Sequence, residues 1–247
     1  MGVQAIMFGG IGTLVETSEI QRDAFNRAFA ETGLGWHWPQ DEYRHLLGVA
    51  GGRNRIRAYD RALDNGDTLS EELIAELHRR KTELFQDALA NTRLEPRPGV
   101  IRLLNKARNH DVLLAIASTT SADNIAALAG ASDLDLDAFH VILHAGSVAR
   151  RKPAPDVYLS CLEYLDVPAA HAIAIEDSDS GLAAAGAAGV RCVAIPGENT
   201  AAQDFSNASL VSGSLADVDM LPGSGPFAPR NTGLDPVSAH ELVTAIR

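Results

Sequence analysis

The stretch Gln4-Ala5-Ile6-Met7-Phe8-Gly9-Gly10-Ile11-Gly12-Thr13-Leu14-Val15-Glu16-Thr17 decides how the rest of the chain is read. An apolar run over residues 3–8 ends at a glycine-rich loop, the pattern of a buried strand that delivers a loop to a site. A polar start signal for a helix follows at Thr17 and Ser18, where Ser18-Glu19-Ile20-Gln21 fits a capping box. The loop itself carries Gly9 and Ile11, and neither side chain can attack, ionise or hold a metal.

Outward from this stretch the chain is first helical. Ile20, Ala24, Phe25, Ala28 and Phe29 recur at helical spacing up to Gly33. Trp36, Trp38 and Pro39 form an aromatic turn whose tryptophans read as packing anchors, and Asp41 is the expected cap of a short helix. Gly51-Gly52-Arg53-Asn54-Arg55 opens a further helix, and Ser70 caps a longer one. No convincing strand lies between residues 15 and 95, so this segment is expected to be a helical insert, with Pro96-Arg97-Pro98-Gly99 as its rigid return hinge.

From residue 100 the pattern changes to helices alternating with apolar runs. Helix 100–109 precedes strand 112–117, helix 122–130 precedes 141–143, helix 157–165 precedes 172–175, and helix 180–188 precedes 190–195. Such alternation predicts an α/β fold with a parallel sheet covered on both faces, ligands lying at the carboxyl ends of the strands. Gly9, Ser118, Lys152 and Glu176-Asp177 all fall at those ends. The expected organisation is a core of residues 1–14 and 96–221, an insert of residues 15–95, and a Gly/Pro-rich tether with a last helix over 222–247.

Composition narrows the function. At 247 residues the chain can bury a full core, and 46% hydrophobic with 21% charged residues is ordinary for a globular protein. A net charge of −11 argues against general affinity for nucleic acid or an anionic membrane, either of which needs a basic face. The two cysteines, Cys161 and Cys192, sit within apolar segments and read as core thiols rather than a disulfide. No apolar run approaches the ~20 residues needed to span a bilayer, and the start lacks a secretory pattern. A cytoplasmic location is expected.

Taken together the motifs resemble the haloacid dehalogenase (HAD) superfamily over nearly the whole chain. The branch they resemble carries a small helical cap after the first motif and includes beta-phosphoglucomutase and the CbbY-like sugar-phosphate phosphatases. Gly12-Thr13-Leu14 keeps the frame of the first motif; the resemblance puts the nucleophilic aspartate at position 9 and the general acid/base at position 11, now Gly9 and Ile11. Ala115-Ile116-Ala117-Ser118-Thr119-Thr120 is similar to the second motif, which implies phosphate binding by Ser118 and Thr119. Lys152, before Pro153-Ala154-Pro155-Asp156, is similar to the lysine of the third. Ala174-Ile175-Glu176-Asp177-Ser178 is similar to the fourth, whose acidic pair holds Mg²⁺ in the family. Gly51, Gly52 and Arg53 stand where the CbbY-like branch places a substrate-contacting loop, and Glu16 is a further candidate there. The resemblance also implies the strand order 3-2-1-4-5, with residues 3–8 central.

The departures carry more functional weight than the matches. Phosphoryl transfer in this family needs a carboxylate in line with phosphorus, and glycine has no side-chain atom to offer. Loss of a general acid/base typically forfeits ~10²–10⁴-fold in rate. With one carboxylate ligand gone, Mg²⁺ is expected to bind weakly at Glu176 and Asp177, helped by the Ile11 carbonyl. Removing two negative charges beside Lys152 favours an incoming phosphate. Three readings follow: a pseudoenzyme binding a phosphorylated metabolite or a protein partner; a hydrolase with relocated groups, Glu16, His37 or His45 serving as base; and a dinucleotide loop at Gly9-Gly10-Ile11-Gly12. The third fails at Val15, where the fingerprint wants Gly or Ala.

Overall fold

The computed structural model describes residues 3–63 and 68–218. The tether and terminal helix expected over 222–247 lie outside the described residues. The strands are β1 (Ala5–Phe8), β2 (Leu113–Ala117), β3 (Val141–Leu143), β4 (Ala172–Glu176), β5 (Arg191–Ala194) and β6 (Leu210–Val211). The helices are α1 (Ile11–Leu14), α2 (Ser18–Glu31), α3 (Gln40–Leu47), α4 (Gly52–Leu63), α5 (Glu71–Ala90), α6 (Val100–Asn109), α7 (Ala122–Ala131), α8 (Asp156–Leu165) and α9 (Asp179–Ala187). They fall into two compact units, Met1–Glu16 with Leu94–Arg247, and Thr17–Arg93.

In the first unit the sheet runs β3-β2-β1-β4-β5-β6 and every pairing is parallel. The first strand is central, as the motif order implies, with Phe8 level with Ile116 on one side and Ile175 on the other. Side chains of a strand alternate between faces, and β1 divides accordingly. Ile6 and Phe8 enter a core with Val100, Leu104, Ile125 and Leu128 of α6 and α7. Ala5 and Met7 enter the opposite core with Val157, Tyr158, Cys161 and Leu182 of α8 and α9. Both cysteines are buried and unbridged. Burial pushes the Cys161 thiol up to about 12 and Cys192 well above its usual value, so both remain protonated at neutral pH.

Among its described residues the second unit, the insert, carries the four helices α2 to α5. Phe25, Phe29, Trp38, Tyr43, Ile56 and Leu77 form its core. Trp38 is completely buried, its ring 4.7 Å from Phe25 and 4.8 Å from Phe29. Asn26 holds the Trp38 backbone in place by accepting from its N–H at 2.8 Å and donating to its carbonyl at 3.0 Å. Lys81 is buried between the Phe25 and Phe85 rings and donates to Gln21 Oε1 at 3.0 Å. Burial, and then the nearby Arg55, lower it to about 7.

Two expected caps are corrected. Thr17, not Ser18, occupies the first cap position, with Gln21 Nε2 donating to the Thr17 hydroxyl at 3.2 Å, because α2 already begins at Ser18. α3 is capped by Pro39, whose φ of −63° suits the entry to a helix; Asp41 lies inside the first turn and pairs with Arg44. Ser121 caps α7 by accepting from Asn124 N–H, and Ser118 does not serve that role. β6 escaped the sequence reading because two residues make no periodic signal.

Candidate functional site

The site is assembled by the carboxyl ends of β1, β2 and β4 in the first unit. Gly9 N–H donates to the Ile175 carbonyl at 2.8 Å, which extends the β1–β4 ladder into the loop. Gly10 follows with φ +137°, a conformation that favours glycine, and a Cβ there would lie 3.0 Å from Ser118 Oγ. The wholly buried Thr13 stitches the turn, its hydroxyl donating to the Gly10 carbonyl at 2.7 Å and accepting from Gly10 N–H at 3.2 Å. This loop is the short helix α1, whose glycine-rich sequence gave no helical signal.

Ile11 points away from chemistry. It is 8% exposed and belongs to the core beneath α7, where with Leu14, Ile116, Ile125 and Leu128 it lines a small apolar cavity. The position that the family resemblance gives to a proton carrier is therefore occupied by packing.

Gly9 is the centre of the remaining geometry. A Cβ at position 9 would lie 2.1 Å from Glu176 Cδ and 2.2 and 2.3 Å from the carboxylate oxygens. The Glu176 carboxylate thus fills the space where a larger residue at position 9 would begin its side chain. On its other side lies Gly181 of α9, where a Cβ would come within 2.0 Å. Lys152, in the turn before α8, donates to Glu176 Oε1 and to the Gly9 carbonyl, each at 2.5 Å. The buried Tyr158 hydroxyl donates to the same Oε1. Lys152 is 7% exposed and Glu176 1%, so this is an ion pair taken out of water. Burial, and then the Glu176 charge, keep the Tyr158 phenol protonated far above its usual value.

Asp177 behaves differently from its neighbour. Its Oδ2 lies 1.9 Å from where a Cβ on Gly12 would sit. Burial first, and then repulsion from Glu176, raise it to about 6, against the opposing pull of Arg97 and Lys152. Arg97 was legible only as part of a hinge. Its guanidinium donates to the Gly12 carbonyl at 3.1 Å, to Ile195 at 2.7 Å and to Pro196 at 2.9 Å, tying its own segment to two loops at the sheet edge. An arginine held between two prolines was the available signal.

Ser118 is 2% exposed, and its Oγ accepts from Thr120 N–H at 3.1 Å. Thr119 is half-buried beside it. The consecutive Gly9 and Gly10 bring one loop against both the Lys152–Glu176 pair and Ser118. Glu16 is exposed, with Oε2 close to Gly197. In the insert, Gly51 has φ +88°, Gly52 opens α4 tightly against His78, and Arg53 is exposed.

As a Mg²⁺ site the donor set does not fit. The ion wants near-octahedral oxygens, whereas Glu176 Oε1 already accepts from an ammonium and a phenol, and Asp177 remains as the other carboxylate. Among the described residues no group of three or more His, Cys, Asp or Glu side chains is placed to hold a metal. Nor, among them, is any helix long and apolar enough to cross a membrane.

Comparison with known proteins agrees with the motif order. The haloacid dehalogenase-like hydrolase family matches residues 11–195. The CbbY protein of Rhodobacter capsulatus is 43% identical over 210 residues, 84% of this chain and 92% of that one. CbbY of Cereibacter sphaeroides is 41% identical over 229 residues, 92% and 99% of the two chains. Among solved structures, an aspartate-to-asparagine variant of Rhodobacter sphaeroides CbbY in complex with xylulose-1,5-bisphosphate is similar with a TM-score of 0.80 at 40% identity, covering 87% of this chain and 96% of that one. The beta-phosphoglucomutase of Clostridium difficile shares the fold, with a TM-score of 0.70 at 22% identity over 88% of this chain and 93% of that one. With its sheet order, motif order and relatives in agreement, the chain belongs to the haloacid dehalogenase-like hydrolase family.

Proposed function

We propose that this protein is a catalytically impaired member of its family that binds a phosphorylated small molecule, of the sugar-phosphate class, without hydrolysing it. One observation carries the reading: position 9 is glycine, and the space a nucleophile's side chain would need is filled by a glutamate already paired with Lys152. No in-line carboxylate remains for a covalent intermediate. The ligand class is supported by the xylulose bisphosphate complex of the relative above. Ser118, Thr119 and Lys152 are the proposed phosphate ligands; a lysine ammonium has three donors, and two are engaged by Gly9 and Glu176. A protein partner recognised through the same pocket is the variant of this reading. No step through Mg²⁺ is derived.

A second reading has one observation in its favour. Asp177, raised to about 6, has the proton affinity of a general base near neutral pH, so that the chain would be a hydrolase with relocated groups. Phosphate release from a panel of sugar phosphates, with and without chelator, separates the two. Background release is expected, together with phosphate binding that Lys152→Ala weakens by about 1.5–3 kcal/mol, the range for hydrogen bonds to charged groups. Robust chelator-sensitive turnover would overturn the pseudoenzyme reading.

A further inference from the structure

We propose that the Glu176 carboxylate is an internal competitor for the phosphate site: it occupies Lys152 in the ligand's stead, and the glycine at position 9 is what permits it to do so. The inference rests on the binding role given above to Lys152.

The carboxylate sits between two glycines, each of which would collide with it if it carried a Cβ, at 2.1 Å for position 9 and 2.0 Å for position 181. An aspartate at position 9 and this placement of Glu176 are therefore mutually exclusive. Gly9 does more than delete a nucleophile, because it opens a slot next to Lys152 that an anion of the protein's own fills. Once there, the carboxylate gains the Lys152 ammonium and the Tyr158 hydroxyl as donors, both buried, and the positive charge facing the pocket is neutralised. A phosphate approaching Lys152 meets an ammonium with a resident counter-ion. The same placement accounts for the poor fit to a metal, since the oxygen that would face a cation accepts from one already.

The experiment is titration calorimetry of inorganic phosphate into the full-length native chain and Glu176→Gln, at pH 7, once with chelator and once with Mg²⁺. Glutamine keeps the shape between the glycines and can still accept from Tyr158, while it surrenders the charge. Glu176→Gln is expected to bind phosphate at least tenfold more tightly than the native protein, equally with and without Mg²⁺, and adding Lys152→Met should abolish the gain. Gly9→Ala, which expels the carboxylate by contact, serves as the second variant and should tighten binding in the same direction. Both variants would be checked for native circular dichroism.

Native binding with no gain in either folded variant overturns the competitor and leaves the proposed function standing. Gain in the variants with no detectable native binding supports the competitor and sinks the proposed native function. No binding by any protein overturns both. A native affinity that rises with Mg²⁺ and loses that dependence in Glu176→Gln would make Glu176 a metal ligand and overturn the inference.

Discussion

Replacing Lys152 by methionine tests whether the Glu176–Lys152 pair is as buried and as tightly coupled as its geometry states. At 2.5 Å and an effective dielectric of ~20, the gross attraction is about 7 kcal/mol, against a desolvation penalty of several kcal/mol for each ion, so the pair as a whole is worth little beyond an apolar pair of the same shape. Removing one member is another matter, because Glu176 then keeps the Tyr158 hydroxyl as a donor but no counter-ion, between two glycines that admit no new group. Stranding a buried charge costs about 3–5 kcal/mol. Lys152→Met should therefore destabilise by about 3–5 kcal/mol at pH 7 in urea unfolding. Adding Glu176→Gln should return stability to within about 1 kcal/mol of native. A single-mutant loss below about 1 kcal/mol, or a double mutant no better than the single, would refute the buried pair.

Asp177→Asn should stabilise the protein above pH 6 by about 1–3 kcal/mol, the linkage value of a carboxyl raised to about 6. A raised carboxyl favours the fold below its unfolded value near ~3.9 and loses that contribution as pH rises to 6, so the advantage of asparagine should fade as unfolding is measured at pH 5 and then 4; a pH-independent gain would contradict the assignment. Trp38→Ala should cost about 3–5 kcal/mol, because a fully buried ring in contact with two phenylalanines leaves a cavity that the helices cannot close. A loss under about 1.5 kcal/mol in thermal or urea unfolding would show the insert's core to be loosely packed.

Much of the fold was legible because its strands are apolar runs between helical periods. Residues 141–143 were read with their observed limits, and the central place of β1 followed from the motif order. The failures have physical causes. A cap depends on where the first helical turn begins, and a shift of one residue moved that role from Ser18 to Thr17 and from Asp41 to Pro39. Within the site, the glycine at position 9 and the isoleucine at position 11 were visible in the sequence. That Ile11 belongs to the core, and that Glu176 fills the room beside Gly9, depends on side-chain packing across the sheet edge. The small residue at 181 facing the small residue at 9 was the one trace of it in the sequence.

The hydrogen bond from Arg97 N–H to the Leu14 carbonyl, at 2.7 Å, has a consequence for how this architecture can diversify. It joins, within the first unit, the point where the chain departs towards the helical insert to the point where it comes back. To that unit the insert is a loop with its ends already tied, and closing a longer loop adds only ~0.6 kcal/mol per doubling of length. Insertions, deletions and wholesale exchange of the helices between these points therefore place little burden on the sheet, whose ladder continues on both sides of β1 regardless. A scaffold of this kind can hold the carboxyl edge of its sheet constant while the intervening segment is rewritten.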